Sequence, residues 1–240
     1  MIRRRETSSV SRELRRGTMV VLFLLTFPAG VLAQPSDMKV EHLTRDQGLL
    51  GTEVYCILQD SRGYLWFGTE KGLNRYDGYS ITVYKREPGN SSSIFDARVQ
   101  CLWEDREGAL WVGTWGSLER FDRASNTFTH FVPHPENLVH NWVNSILDLR
   151  EDKNGTLWTG GDGLKAFDRV HGTFTPLRHV SADSGSLLHN IVNAIYEDRA
   201  GTLWIGTGGG LYVLRETEGT FVHSLPSGDL WERLQGLHVS

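Results

Sequence analysis

Apolar and polar positions along this chain fall into short runs. From position 54 the order is VYCILQD, then YLWFGT, GLNRYD and ITVY, separated by polar or Gly-containing steps. Runs this short, rich in β-branched and aromatic residues and bounded by turn formers, predict strands over Val54 to Asp60, Tyr64 to Thr69, Gly72 to Asp77 and Ile81 to Tyr84. The order then returns three times. DSRGYLWFGT around Trp66 is echoed by DREGALWVGT around Trp111, DKNGTLWTGG around Trp158 and DRAGTLWIGT around Trp204, at Trp separations of 45, 47 and 46 residues. An apolar anchor stands twelve residues before each Trp, at Val54, Val99, Ile146 and Val192. A β-type unit with this period predicts an all-β fold, a β-propeller made of four-stranded antiparallel blades, with four blades present.

Three details fill in the blade. Asp-x-x-Gly joins the first two runs in every copy (Asp60/Gly63, Asp105/Gly108, Asp152/Gly155, Asp198/Gly201); the carboxylate can accept a local backbone N–H and the Gly supplies positive φ, which is hairpin chemistry. The second run is apolar on both faces, as in Leu65-Trp66-Phe67, which suits a sheet covered on both sides. The Gly after it (Gly68, Gly113, Gly160, Gly206) predicts a close approach between adjacent sheets. Each Trp is expected to be a packing residue, hiding roughly 150–250 Å² and contributing on the order of 4–6 kcal/mol before entropy is subtracted.

The first 33 residues break the pattern. Six Arg between Arg3 and Arg16 precede the apolar run Met19 to Phe27, and Val31-Leu32-Ala33 closes with small residues. The run is too short to span a bilayer comfortably, so residues 1–33 predict a secretory signal peptide cut after Ala33, with an uncut signal anchor as the alternative. Arg15-Arg16 raises twin-arginine export, but Gly17-Thr18 fits it poorly. Cleavage would leave 19 basic and 27 acidic side chains, a net charge of −8, which disfavours nucleic acid as a partner. Cys56 and Cys101 occupy equivalent places in neighbouring repeats and are expected to lie beyond bridging distance, as buried thiols.

These residues carry a resemblance. The stretch Leu43 to Tyr84 and the recurring LWxGTxxGLxRxD phrase closely resemble the repeats of the two-component regulator propeller family, and the likeness runs from about Glu41 onward. What it implies is an extracytoplasmic, periplasmic sensor region. In full-length relatives two seven-bladed propellers precede an immunoglobulin-like domain, a membrane helix and a cytoplasmic histidine kinase, so the implied partners include downstream membrane and kinase modules anchored in the inner membrane. Departures are local: Ser117 replaces the Gly of the GL pair, the third repeat is one residue short before Gly163, and Arg215 replaces the Asp ending strand three. The expected organisation is a signal peptide over 1–33 and a propeller region over 34–240, with repeats at 43–84, 97–131, 144–177 and 190–225. Val239 lies 47 residues after Val192, so 236–240 reads as the opening of a fifth blade, and the array as a partial ring of a seven-bladed propeller.

Binding groups are sought in the connections. The loops from fourth strand to next first strand (Lys85 to Arg98, Val132 to Ser145, Arg178 to Ile191) are fourteen residues each and share a face with the second-to-third connections. Trp115 and Asp162 in the latter, with His140, Asn141, Trp142, His189 and Asn190 in the former, form an aromatic and amide-rich set that could stack on and hydrogen-bond a small molecule such as an oligosaccharide. The recurrence of His-Asn at 140/141 and 189/190 leaves open that it caps a loop turn. No H-E-x-x-H, nucleophile elbow or Walker loop is present, and the Asp-x-x-Gly turns offer too few oxygens for calcium. No catalytic residue, metal or other cofactor is expected; a homodimer stays open. The rival classes are a secreted propeller enzyme (lyase or glycosidase) and a protein-binding scaffold.

Overall fold

The computed structural model describes residues 42–138, 141–177, 186–187, 189–215 and 220–223. The predicted signal peptide, His140 and the expected fifth-blade opening lie outside the described residues. Among the described residues sixteen strands form four sheets, each antiparallel and in chain order. Blade 1 is β1 (Val54–Gln59), β2 (Leu65–Thr69), β3 (Gly72–Tyr76) and β4 (Ile81–Tyr84). Blade 2 is β5 (Val99–Glu104), β6 (Leu110–Thr114), β7 (Leu118–Asp122) and β8 (Thr127–Phe131). Blade 3 is β9 (Ile146–Glu151), β10 (Leu157–Gly161), β11 (Leu164–Asp168) and β12 (Thr173–Leu177), and blade 4 is β13 (Val192–Glu197), β14 (Leu203–Thr207), β15 (Gly210–Arg215) and β16 (Thr220–His223). The first strands stack in sequence, β1 on β5, β5 on β9 and β9 on β13, and so form the inner wall of the array.

Packing between blades explains the repeat. A Cβ added to Gly68 would come within 2.6 Å of Val99 Cγ1 in the next blade, and one on Gly113 within 2.8 Å of Ile146 Cγ2. The anchor of each blade therefore sits against the Gly of the blade before it. At Gly206 only its own blade is near, with Ala194 Cβ at 3.4 Å. Val99, Ile146 and Val192 are fully buried, whereas Val54 and Ile57 of β1 are 42% and 64% exposed. Trp66, Trp111 and Trp158 are buried and Trp204 is half-buried. Cys56 and Cys101 are free thiols; burial pushes Cys101 well above its ordinary range and Cys56 up to about 12.

The expectation that each Trp only packs needs extending. In all four blades the Asp-x-x-Gly carboxylate uses one oxygen for the turn and the other for the Trp six residues on. Asp60 Oδ1 accepts the N–H of Arg62 (3.0 Å) and of Tyr64 (2.9 Å), while Trp66 Nε1 donates to Oδ2 at 2.8 Å. The indole bonds are 2.7 Å at Trp111–Asp105, 2.7 Å at Trp158–Asp152 and 3.0 Å at Trp204–Asp198. Gly63, Gly108, Gly155 and Gly201 all have positive φ, between 79° and 87°. The Asp thus lets the polar edge of a large aromatic group enter the core without an unsatisfied donor.

Candidate functional site

Each corner is completed by the following blade. Glu104, at the end of β5, accepts from Ser61 N (2.6 Å) and Ser61 Oγ (2.9 Å) in blade 1. Glu151 accepts from Arg106 N at 2.9 Å and Glu197 from Lys153 N at 3.0 Å. Arg123, in the β7–β8 turn, bridges its own Glu104 (2.8 Å) and Asp60 of blade 1 (2.6 Å). Arg169 does the same one blade on, 2.9 Å from Glu151 and 3.8 Å from Asp105. Burial pushes the Asp60 carboxyl upward, but the Trp66 indole, Arg123 and the Tyr64 N–H outweigh it and hold the group below the ordinary carboxylate range. Blade 1 itself carries Gln59 and Gly78 at the Glu and Arg places.

At the other end of the strands, the residue after the leading Leu of each third strand is buried, and it is polar or charged in the first three blades (Asn74, Glu119, Lys165) and Tyr212 in the fourth. In blades 1 and 2 this side chain pins the incoming loop. Asn74 Oδ1 accepts Leu50 N at 2.8 Å, and Glu119 Oε1 accepts Phe95 N at 3.0 Å. Glu119 also takes a 2.6 Å bond from Ser117 Oγ and lies 2.5 Å from His130 Nδ1, whose Nε2 reaches the Ser91 carbonyl at 2.8 Å. The bond to Glu119 raises the His130 pKa above its usual 6.5 against the opposing effect of burial. Ser117, a departure from the repeat pattern, is therefore part of the clamp. A cleft of about 350 Å³ lies under this loop, between the 86–95 backbone and His130. Blade 3 pins its loop differently: Asn144 accepts His134 N at 2.7 Å and donates to Asn137 O at 3.0 Å, while Lys165 Nζ donates to the Asp162 carbonyl.

The loop residues singled out in the sequence fall into separate places. Asp162 is buried and bridges to Ile191, Gly163 N donates to the Asn190 carbonyl at 2.5 Å, and His189 Nδ1 accepts Ile191 N at 3.1 Å. Asp162, His189 and Asn190 thus meet at the junction of blades 3 and 4. Trp115 is half-buried in blade 2 beneath the Arg98 guanidinium, 4.4 Å from its ring centroid. Asn141 and Trp142 open the short 3₁₀ turn Asn141–Asn144, where Trp142 is 54% exposed and its carbonyl accepts Ser145 Oγ at 2.7 Å. Glu119, His130, Asn144 and Arg98 were missed. Aligning the four copies would have marked the polar place at 74, 119, 165 and 212, since a strand next to an inter-blade core rarely carries a charge there without a partner. Among the described residues no group of three or more His, Cys, Asp or Glu could hold a metal ion, and no helix is long and apolar enough to cross a membrane.

Comparison with known proteins agrees with the repeat reading. The model of the two-component regulator propeller family matches residues 48–71 and 186–209, in the first and fourth repeats. A histidine kinase, P4, of Formosa agariphila is 35% identical over 78 residues, which is 32% of this chain and 6% of that protein. Two crystal structures from B. thetaiotaomicron, extracellular domains ascribed to the hybrid two component systems BT3049 and BT4673, superpose with TM-scores of 0.54 and 0.58 at 24% identity. The matches cover 76% and 71% of this chain but only 31% and 24% of those domains, so the chain spans a minor part of each relative. Four blades, four copies of the Asp-turn and Trp phrase, and matches to the family model in the first and fourth repeats make this chain similar to the two-component regulator propeller family in those repeats.

Proposed function

We propose that this chain is the extracytoplasmic, ligand-sensing propeller region of a two-component sensor whose output is a histidine kinase. The observation that carries the reading is the family match in two repeats 138 residues apart, supported by the likeness to a histidine kinase over 78 residues. The residues present act by binding, with no catalysis of their own, and pass on a change in loop geometry. Ligand is taken at the loop-bearing end of the blades, where Trp142 offers an open aromatic face and Asp162, His189 and Asn190 supply polar groups. An oligosaccharide suits that mixture of aromatic and hydrogen-bonding groups. Export by the 1–33 signal peptide puts the region in the periplasm.

The test is calorimetric titration of the full chain, purified from the periplasm, with a panel of neutral and acidic oligosaccharides. Saturable binding that weakens at least tenfold in Trp142→Ala is the expected result. Absence of binding across the panel, with the blades folded, would shift the reading to a protein-binding scaffold. N-terminal sequencing of the same preparation should begin at Gln34.

A further inference from the structure

Four side chains occupy the fourth place after the anchor on the inner strands: Leu58, Trp103, Arg150 and Tyr196. They lie at the end of those strands away from the long loops. Arg150 reaches sideways across the inner wall, its Cζ 4.8 Å from the Trp103 ring centroid in blade 2 and 5.6 Å from that of Tyr196 in blade 4. Stacking between two rings fixes the guanidinium plane and leaves its N–H edges to make hydrogen bonds.

Among the described residues no acceptor takes those bonds. Arg123 and Arg169 each spend their guanidinium on carboxylates, and Arg106 donates to the Asp152 and Lys153 carbonyls. Arg150 has neither an ion pair nor a side-chain hydrogen bond among the described residues, and its Nε is buried without a partner. Trp103 Nε1 beside it is likewise buried and unmatched. Asp148, whose charge interacts with that of Arg150 without a hydrogen bond to it, already accepts Leu149 N at 2.9 Å and Ile195 N at 2.6 Å. Glu104, Glu151 and Glu197, one place further along the strands, bind the turns of the preceding blades. Tyr196 is 52% exposed, so the cluster opens to solvent.

A fixed cation with free N–H edges, an unmatched indole N–H and an open aromatic wall call for a flat anion with two oxygens. We propose that Trp103, Arg150 and Tyr196 form a carboxylate-binding site on the inner wall, distinct from the loop-face site and independent of the sensor reading. Arg150 would make the charged contact, Trp103 Nε1 a second hydrogen bond, and Tyr196 the wall against which the ligand's carbon skeleton rests.

Nitrogen-15 NMR of the full chain tests this, following arginine Nε–H and indole N–H signals during titration with sodium acetate against sodium chloride at constant ionic strength. The Arg150 and Trp103 signals, assigned by their loss in Arg150→Gln and Trp103→Phe, should move together and saturate with acetate and stay still with chloride. Arg150→Lys, which keeps the charge and the stem, should weaken acetate binding at least tenfold, and Tyr196→Ala several-fold. Equal responses to acetate and chloride, or unchanged acetate affinity in Arg150→Lys, would overturn the proposal. The Lys variant serves if the Gln variant does not fold, and near-ultraviolet circular dichroism of each variant separates lost binding from lost structure.

Discussion

The corners of blades 1 and 2 and the corner of blade 3 share one sequence phrase but not one chemistry. Trp66 lies among Tyr84 and Phe121, with the Arg75 and Arg123 guanidinium groups 5.8 and 5.9 Å from its ring. Trp111 has Phe131 and Phe167 as neighbours, and Arg120 and Arg169 each at 6.0 Å. At Trp158 the corresponding places hold Leu177, Leu214 and Ala166, and Glu216 stands in sequence where the bridging Arg would be. The first two corners are therefore aromatic and Arg-bridged, whereas the neighbours that replace those rings beside Trp158 are aliphatic, Tyr212 and Phe221 being the other aromatic members of that core. A repeat specifies the blade, whereas the junction depends on pairs of residues drawn from two repeats, so each junction can be tuned separately. The third is expected to be the first to open.

The largest effect should come from emptying a corner. Trp111→Ala is expected to cost about 3–5 kcal/mol, read as a fall in the urea midpoint, and Trp204→Ala distinctly less because Trp204 is half-buried. Equal losses would erase the distinction between covered and uncovered blades. Next comes Asp105→Ala, which leaves the Trp111 indole and two turn N–H groups without their acceptor; about 2–3 kcal/mol is expected. Arg169→Met should cost about 1–2 kcal/mol, the bridge being partly solvent-screened. Hydrogen exchange should then show the blade 2–3 junction opening as readily as the blade 3–4 junction. The smallest change sharpens the comparison in the other direction: Glu216→Arg should raise stability by under about 1 kcal/mol, with a gain confined to amides of blades 3 and 4.

Proton dependence separates the two ends of the blades. His130 has a raised pKa, so its contribution to holding the 85–98 loop is complete below about 6.5 and is lost as pH climbs through the folded-state value. Asp60 and Asp198 are depressed, so their contribution is present above the ordinary carboxylate range and is lost as pH falls through their lowered values. Proteolysis within 85–98 should therefore accelerate on the alkaline side of neutrality, in a manner abolished by His130→Phe, while global unfolding sets in only in acid. A cleavage rate independent of pH from 6 to 9 would remove His130 from the clamp.

Much of this fold is visible in sequence because the phrase is covalently local: strand, Asp turn, Trp and Gly fall within fifteen residues of each other. The bond between Asp and Trp was equally available, since the spacing of six recurs four times, but it requires treating the indole as a donor as well as a volume. Inter-blade groups are harder to read. Glu104 and Arg123 act on residues 43 and 63 positions away, and Gln59 and Gly78 break the column in the first copy. The Leu58, Trp103, Arg150 and Tyr196 row has no common residue type, so only the stacking of inner strands reveals it. Loop residues show their chemistry in sequence but not which loops meet; His189, Asn190 and Asp162 do, whereas Trp115 sits under Arg98 in blade 2.

The bridge from Arg123 back to Asp60 also has a meaning in time. The two residues are separated by 63 positions, which at synthesis rates of 5–20 residues per second is roughly 3–13 s. Throughout that interval the first blade has its strands and its Asp–Trp bond but not the groups that seal its corner. Blade 2 waits in the same way on Arg169 of blade 3, so the sealing of these two corners trails the newest residues by more than one repeat. A protease or chaperone acting on the growing chain would meet these two corners unsealed one after the other, the younger always last to close.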